Sequence, residues 1–134
     1  MKKQASMQES NYNKRLRAII DTVIDGVIII NSKGIIERLN PAAAELFEYD
    51  PKELIGRNIK VLMPEPYQSQ HDQYIENYHK TRVPHIIGVG REVQGRKKSG
   101  KTFPCRLAVS ETRLDNRTIF TGIIHDLSDV KKAQ

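Results

Sequence analysis

The chain has 134 residues, 38% of them hydrophobic, which is enough for one domain with a single core and one internal pocket. Its longest apolar run, residues 26–30, is too short to cross a bilayer, and the first ten residues lack the apolar segment of a secretion signal. The charge of +6 is spread over separate basic clusters with few aromatic residues, so we expect no nucleic-acid partner and no membrane contact. A single cysteine, Cys105, excludes an internal disulfide and predicts a reducing, cytoplasmic setting.

The N-terminal residues 1–24 are predicted to form an amphipathic flanking helix. Their apolar side chains recur at helical spacing, with basic residues on the flank, and comprise Tyr12, Leu16, Ile19, Ile20 and Val23. Such a stripe must lie on another apolar surface. We expect it to pack on the sheet described below and across the two-fold axis of a homodimer.

A β-hairpin and short helices are predicted next. The β-branched runs 26–31 and 35–40 flank a turn in which Gly34 can adopt a positive φ. Asn40, followed by a proline, has the pattern of a helix N-cap and predicts a helix over residues 42–49. The next short helix begins with a capping box formed by Asp50 and Glu53, and it ends at Gly56.

Three further strands are predicted in the C-terminal third, over residues 91–97, 102–111 and 118–126. In the second of these, apolar and mostly polar residues alternate, so one face points to a core. Together with the hairpin they predict an α+β fold, a five-stranded antiparallel sheet with short helices on one face. We expect the domain to span residues 25–127, with residues 128–134 starting a C-terminal signalling helix that continues in a longer protein.

A long helix over residues 67–80 carries the most informative histidine. His71 lies on its apolar stripe, which comprises Tyr67, His71, Tyr74, Ile75 and Tyr78. After a Gly-rich connector, Arg91 opens the next strand and can reach the same interior. An inward imidazole and guanidinium would suit a metal cofactor with an anionic ligand. The alternative is a core histidine with a satisfied hydrogen bond.

Motifs of catalysis are missing from the sequence. It has no Gly-rich phosphate-binding loop, no zinc-protease motif and no serine nucleophile elbow, and no two histidines have i, i+4 spacing. We therefore expect a sensory domain that is not itself an enzyme. A catalytic output such as a kinase or cyclase would lie in another domain of the same chain.

Sequence motifs from about residue 25 to residue 128 resemble those of PAS domains. They are DGVIIINSKGIIERLNPAAAELFEY, ELIGRNIKVLMPEP, SGKTFPCRLAVSE and FTGIIHDLSD. The block MPEPYQSQHDQYIENYHKTRVPHIIGVGREVQGRKKSGKTFP is similar to the FixL-like subfamily of haem-binding oxygen sensors. This resemblance implies a haem-based sensor of a diatomic gas, with oxygen as the expected gas and haem b as the cofactor.

Individual site residues follow from the same resemblance. It implies that His71 is the axial ligand of the haem iron, that Arg91 is the distal arginine and that His85 lies by a propionate. It also implies that Tyr74 follows the ligand by one helical turn, and that the distal pocket is lined by Ile86, Leu107, Val109 and Gly122. The chain departs from the subfamily at Asn77, where a propionate-binding arginine is expected.

Other PAS functions stay open at this point. The main alternative is a cofactor-free domain that acts as a dimerisation and signal-relay module. A small-acid binder and a flavin site are two further alternatives. Flavin is the least favoured, because the NCRFL motif of photoreactive flavin domains is missing and the chain has no tryptophan.

Overall fold

The chain folds around a five-stranded antiparallel sheet with short helices on one face. A computed structural model describes residues 24–65 and 91–129, and also residues 11, 14, 15, 18, 19 and 68. The strands run in the order β2-β1-β5-β4-β3, with β1 at Gly26–Asn31, β2 at Ile36–Leu39, β3 at Arg91–Arg96, β4 at Thr102–Arg113 and β5 at Thr118–Asp126. Between β2 and β3 lie helix α1 at Pro41–Phe47, helix α2 at Pro51–Leu54 and a 3-10 helix at Ile59–Leu62. The predicted fold class is confirmed.

Parts of two predicted helices fall outside the described residues. The described positions of the N-terminal segment, at 11, 14, 15, 18 and 19, are helical, as the apolar stripe predicts. Most of the predicted helix over residues 67–80, the connector before Arg91 and the residues after 129 are not described. In the part of the chain that the structure does describe, no helix is long and apolar enough to span a membrane.

The last strand, β5, lies in the centre of the sheet between β1 and β4. It pairs with β1 from Gly26 opposite Ile124 to Asn31 opposite Ile119. Its pairing with β4 continues to Arg113, opposite Thr118, so β4 is two residues longer than predicted. Residues opposite one another in such pairs have side chains on the same face, so this register decides which side chains meet.

The two faces of the sheet differ in burial. The inner face packs on the short helices, and its buried strand residues include Ile28, Ile36, Phe103, Cys105 and Ile124. The helices contribute Ala43, Phe47, Leu54 and Leu62 to the same core. On the outer face, Ile123 is 44% exposed. The main core cluster of the described residues therefore lies between the inner face and the short helices.

Helix α1 begins at the predicted cap and ends earlier than predicted. Oδ1 of Asn40 accepts a hydrogen bond from the backbone N–H of Ala43 at 3.0 Å, as an N-cap should. The helix ends at Phe47, because Glu48 adopts a left-handed conformation with φ of 63° and its N–H donates to the carbonyls of Ala44 and Glu45. The prediction that the helix extends to residue 49 is therefore wrong, because the left-handed cap at Glu48 ends it at Phe47.

The second capping motif and its surroundings are largely as predicted. The Asp50–Glu53 capping box is present in both directions, and Gly56 has the positive φ, 89°, that follows the helix. The 3-10 helix after it was not predicted. Its N-cap is Asn58, whose side chain accepts from the N–H of Lys60 at 3.1 Å.

The turn between β3 and β4 is fastened to the helices. The N–H of Lys98 donates to the carbonyl of Phe47 at 3.0 Å, and Nζ of Lys98 lies 2.6 Å from Oε2 of Glu53. The hydrogen bond from Lys98 lowers the pKa of the Glu53 carboxyl, and the same bond raises the pKa of Lys98. These contacts hold β3, and with it Arg91, against the rest of the domain.

Candidate functional site

The candidate site is the less buried part of the inner face. Leu107 and Val109 on β4 and Gly122 on β5 lie on this face, since Val109 pairs with Gly122 and Leu107 with Ile124. All three of these predicted site residues are half-buried, whereas Phe103 and Cys105, nearer the start of β4, are almost fully buried. The structure therefore brings three of the predicted pocket residues together on one apolar surface.

Gly122 leaves a shallow cradle on that surface. Its φ is not in the left-handed region, and among the described residues a Cβ built on it would meet Cδ1 of Leu107 at 3.6 Å and the carbonyl O of Ile28 at 3.8 Å. These are ordinary van der Waals contacts, so neither backbone strain nor crowding requires a glycine here. Glycine in the interior of a strand weakens the sheet and often marks the close approach of a ligand. The bare backbone fits a flat ligand that lies on the inner face.

Arg91 lies at the edge of the same surface. It is the first residue of β3 and pairs with Leu107, which in turn pairs with Ile124, so the three residues form one row across the inner face. Its side chain is exposed. A guanidinium in this position has access to solvent and to any anionic group at the edge of this surface.

Four predicted site residues lie outside the described part of the chain. These are His71, Tyr74, His85 and Ile86. Their roles stay predictions. Among the residues that are described, no group of three or more His, Cys, Asp or Glu side chains could hold a metal ion.

Cys105 is a packing residue of the inner face. It is a free cysteine, 2% exposed, and burial raises the pKa of its thiol to about 12, with the carboxylates of Asp126 and Glu92 acting in the same direction. Since the thiolate is the nucleophile and the metal ligand, a thiol that stays protonated at neutral pH does neither kind of chemistry.

Two residues that sequence reasoning missed face each other where β1 begins and β5 ends. Nδ1 of His125 lies 2.7 Å from Oδ1 of Asp25. The two residues are 100 positions apart in the sequence, and no local pattern links them. Only the pairing of β1 with β5 could have indicated this contact.

Comparison with known proteins identifies the protein family and supports the fold. A family model described as the PAS fold matches residues 14–127. The chain belongs to the PAS family. Among solved structures, the PAS domain of an HTR-like protein from Haloarcula marismortui superimposes with a TM-score of 0.72 over 92% of this chain and 98% of that one, at 17% identity. A match at that level of identity supports the fold alone.

Curated relatives of this PAS domain include named sensors. It is 43% identical over 119 residues, or 89% of the chain, to the sensor protein FixL of Bradyrhizobium diazoefficiens. It is 31% identical over 109 residues, or 81% of the chain, to the oxygen sensor protein DosP of Escherichia coli. The chain spans 24% and 14% of the length of these two relatives. It is a sensory PAS module of signalling proteins and not an enzyme domain.

Proposed function

We propose that this PAS domain is a haem-based gas-sensing module, with oxygen as the gas and haem b as the cofactor. The relatives named as FixL and as an oxygen sensor support this proposal. The structural observation that carries this proposal is the cradle at Gly122. This residue pairs with Ile28 on one side and Val109 on the other, in the half-buried part of the inner face. An apolar surface with a bare backbone patch suits a large planar group better than it suits a small acid.

Each predicted residue has a distinct role in this proposal. His71 would ligate the iron through one ring nitrogen, Arg91 would contact the gas or a propionate, and His85 would lie by a propionate. Ile86, Leu107 and Val109 would line the distal side, with Tyr74 one turn after the ligand. Ferrous haem supplies the binding site for a diatomic gas. The apolar lining excludes water from the gas site, and the histidine fixes the position of the group against the sheet.

The axial ligand is tested by comparing two histidines of the same predicted helix. His71→Ala should abolish or sharply reduce haem binding, because His71 is the only histidine on the apolar stripe. His79→Ala, off that stripe, should leave binding unchanged. Haem is measured by the Soret absorbance after reconstitution, and folding by circular dichroism. Equal reconstitution of the two variants would contradict the assignment of His71.

Arg91 should discriminate between gases. A guanidinium presents five N–H donors, and oxygen accepts a charge-assisted hydrogen bond from it far better than carbon monoxide does. Arg91→Ala should therefore weaken oxygen affinity on the order of tenfold, equivalent to about 1.4 kcal/mol, with much less effect on carbon monoxide.

Stopped-flow measurement of both gases on the wild type and the Arg91→Ala variant checks this expectation. An equal loss for the two gases would reduce Arg91 to a structural residue.

If Arg91 moves between a propionate and the gas, the connector that precedes it differs between the two states. That difference is what a ligand needs to shift an equilibrium.

A cofactor-free signal-relay domain is the second candidate. It is favoured by Asn77, which stands where the haem-binding subfamily has a propionate-binding arginine, and by the exposure of Arg91. The two candidates differ in one measurement. A colourless protein that still fails to bind added haem, and that folds and dimerises normally, would support the relay function.

The remaining parts of the proposal concern the longer protein. We expect residues 1–24 to be a flanking helix, residues 25–127 the sensor domain and residues 128–134 the start of a signalling helix. The domain would act as a homodimer in the cytoplasm and pass its signal to an output domain, such as a kinase or cyclase, in the same chain. Histidine kinases among the curated relatives, such as PdhS of Brucella ovis, support a two-component system.

A further inference from the structure

The contact between Asp25 and His125 joins the two points where flanking segments meet the sheet. Asp25 immediately precedes β1, and His125 is the last but one residue of β5. Nδ1 of His125 lies 2.7 Å from Oδ1 of Asp25, so an N–H at this ring position donates to the carboxylate. Both side chains are partly exposed, at 53% for His125 and 35% for Asp25. A proton in solvent can therefore reach the imidazole.

Asp25 is also held from its other side by the core. Its carbonyl accepts a hydrogen bond at 2.9 Å from Nδ2 of Asn40, which is fully buried. Oδ1 of the same asparagine accepts from the N–H groups of Val27 at 2.8 Å and Ala43 at 3.0 Å. Asp25 is thus connected to β1 and to the first turn of α1 through one side chain.

His125 directly precedes the residues that lead out of β5. The next residue, Asp126, accepts hydrogen bonds from the N–H of Ser128 at 2.9 Å and from its hydroxyl at 2.6 Å, as expected for the cap of the predicted signalling helix. Between them, the N–H of Leu127 donates to the carbonyl of Pro104 at 3.0 Å. A change at His125 is therefore close in the chain to Ser128 and Asp129, where the predicted signalling helix begins.

The charged groups around His125 oppose one another. On its β4 side, Arg106 lies opposite His125, and Glu92 on β3 lies opposite Arg106, so the outer face carries the row Asp25, His125, Arg106 and Glu92. Two further carboxylates, Asp126 and Asp129, follow His125 in the sequence. Arg106 has the same sign of charge as a protonated imidazole, whereas Asp25, in direct contact, has the opposite sign.

We propose that Asp25 and His125 form a proton-dependent clasp that couples the N-terminal and C-terminal flanking segments to the core. When the imidazole is protonated, the clasp is an ion pair and the two segments are held together. When it is neutral, the contact loses its ionic attraction and weakens. Histidine is the side chain that ordinarily changes charge between pH 5 and 8. The clasp does not depend on haem, and it would give this sensor module a second input that acts at its output side.

A double-mutant cycle on the whole 134-residue chain without haem tests the clasp. The variants are Asp25→Asn, His125→Gln and the combination, and the unfolding equilibrium constant is measured in urea at pH 5.5 and pH 8.5. We expect the coupling between the two residues to change that constant about threefold at pH 5.5, as for an exposed ion pair, and to be close to unity at pH 8.5. Coupling that is equal at both pH values, or undetectable at both, would overturn the proposal.

A matched pair in the same chain serves as the control. Nη1 of Arg117 lies 2.6 Å from Oε2 of Glu37, and this contact also joins two distant segments. The hydrogen bond from Arg117 lowers the pKa of Glu37, so both partners stay charged at the two pH values. The cycle of Glu37→Gln with Arg117→Gln should therefore give the same coupling at pH 5.5 and pH 8.5. The variant His125→Arg should make the Asp25 coupling independent of pH as well.

Nuclear magnetic resonance separates coupling from simple contact. The backbone amide signals of Gly26 and Ser128 should titrate with the same midpoint as the His125 ring in the wild type. In the Asp25→Asn variant, the Gly26 signal should no longer follow the ring. If neither amide follows His125 in the wild type, the pair is a surface contact without a role in coupling. None of these outcomes depends on whether the domain binds haem.

Discussion

The side chain of Asn40 makes hydrogen bonds with Val27, Ala43 and Asp25 in the core, and the bond with Ala43 is the helix cap. Its side chain accepts from Val27 and Ala43 and donates to the carbonyl of Asp25, with no exposed surface. Removal of this side chain leaves buried backbone groups without partners, and each unsatisfied group costs about 1 to 3 kcal/mol. One amide therefore joins the hairpin, the helix and the start of the domain.

Asn40→Ala should lower the free energy of unfolding by about 2 to 4 kcal/mol, since a lost cap and an unsatisfied β1 amide add together. Chemical denaturation measures the loss. The control is Asn58→Ala, which removes the cap of the 3-10 helix at a less buried site and should cost about 0.5 to 1 kcal/mol. Similar losses for the two variants would contradict the special role of Asn40.

The sequence could predict only part of this residue's role. Asn40 before a proline is a local pattern, and the cap on Ala43 is confirmed. Its bonds to Val27 and Asp25 span 13 and 15 positions, and they exist only because β2 runs back beside β1. The Asp25–His125 contact was missed for the same reason. Local spacing contains no information about contacts that depend on the strand order.

At the scale of elements, the strand glycines Gly95 and Gly122 differ in the space that a side chain would have. A Cβ on Gly95 of β3 would lie 2.8 Å from two ring atoms of Phe103 and 3.1 Å from Cε1 of Phe47. These two rings pack edge to face with centroids 5.3 Å apart, so they cannot both move away without loss of packing. Gly95 is required by the core, whereas Gly122 is not.

Gly95→Ala should therefore destabilise the domain by about 1 to 3 kcal/mol through overpacking. Gly122→Ala should change the stability of the haem-free protein by less than about 1 kcal/mol, because the added methyl meets only ordinary contacts. Thermal and urea unfolding of the two variants provide the comparison. A large loss at Gly122 would mean that the cradle belongs to the packed core and is not space for a ligand.

Among the elements, strands were predicted more closely than helix ends. The range of β5, Thr118–Asp126, agrees with the predicted one, since turn residues bound its run of apolar side chains. Helix α1 ended before its predicted limit, because Glu48, a residue not typical of left-handed caps, adopts that conformation. The 3-10 helix at Ile59–Leu62 has too few residues for a periodic pattern. Short elements are specified by contacts more than by periodicity.

At the scale of the whole molecule, we expect association through the flanking helix and the outer face. Ile24 is 92% exposed and Ile123 on the outer face is 44% exposed, which leaves apolar area beside the predicted amphipathic stripe. Deletion of residues 1–20 should convert a homodimer into a monomer, measured by light scattering. A dimer that persists after the deletion, or a full chain that is already monomeric, would contradict this prediction.

The central position of β5 also determines when the domain can fold during synthesis. The β3–β4–β5 meander and the β1–β2 hairpin each form from contacts between neighbouring segments, but the β1–β5 pairing joins residues as far apart in the sequence as Gly26 and Ile124. Loop closure over that distance is an entropic cost that slows folding. A ribosome-bound chain that stops before residue 118 therefore presents β1 and β4 as two open strand edges, and the sheet closes only after β5 leaves the exit tunnel.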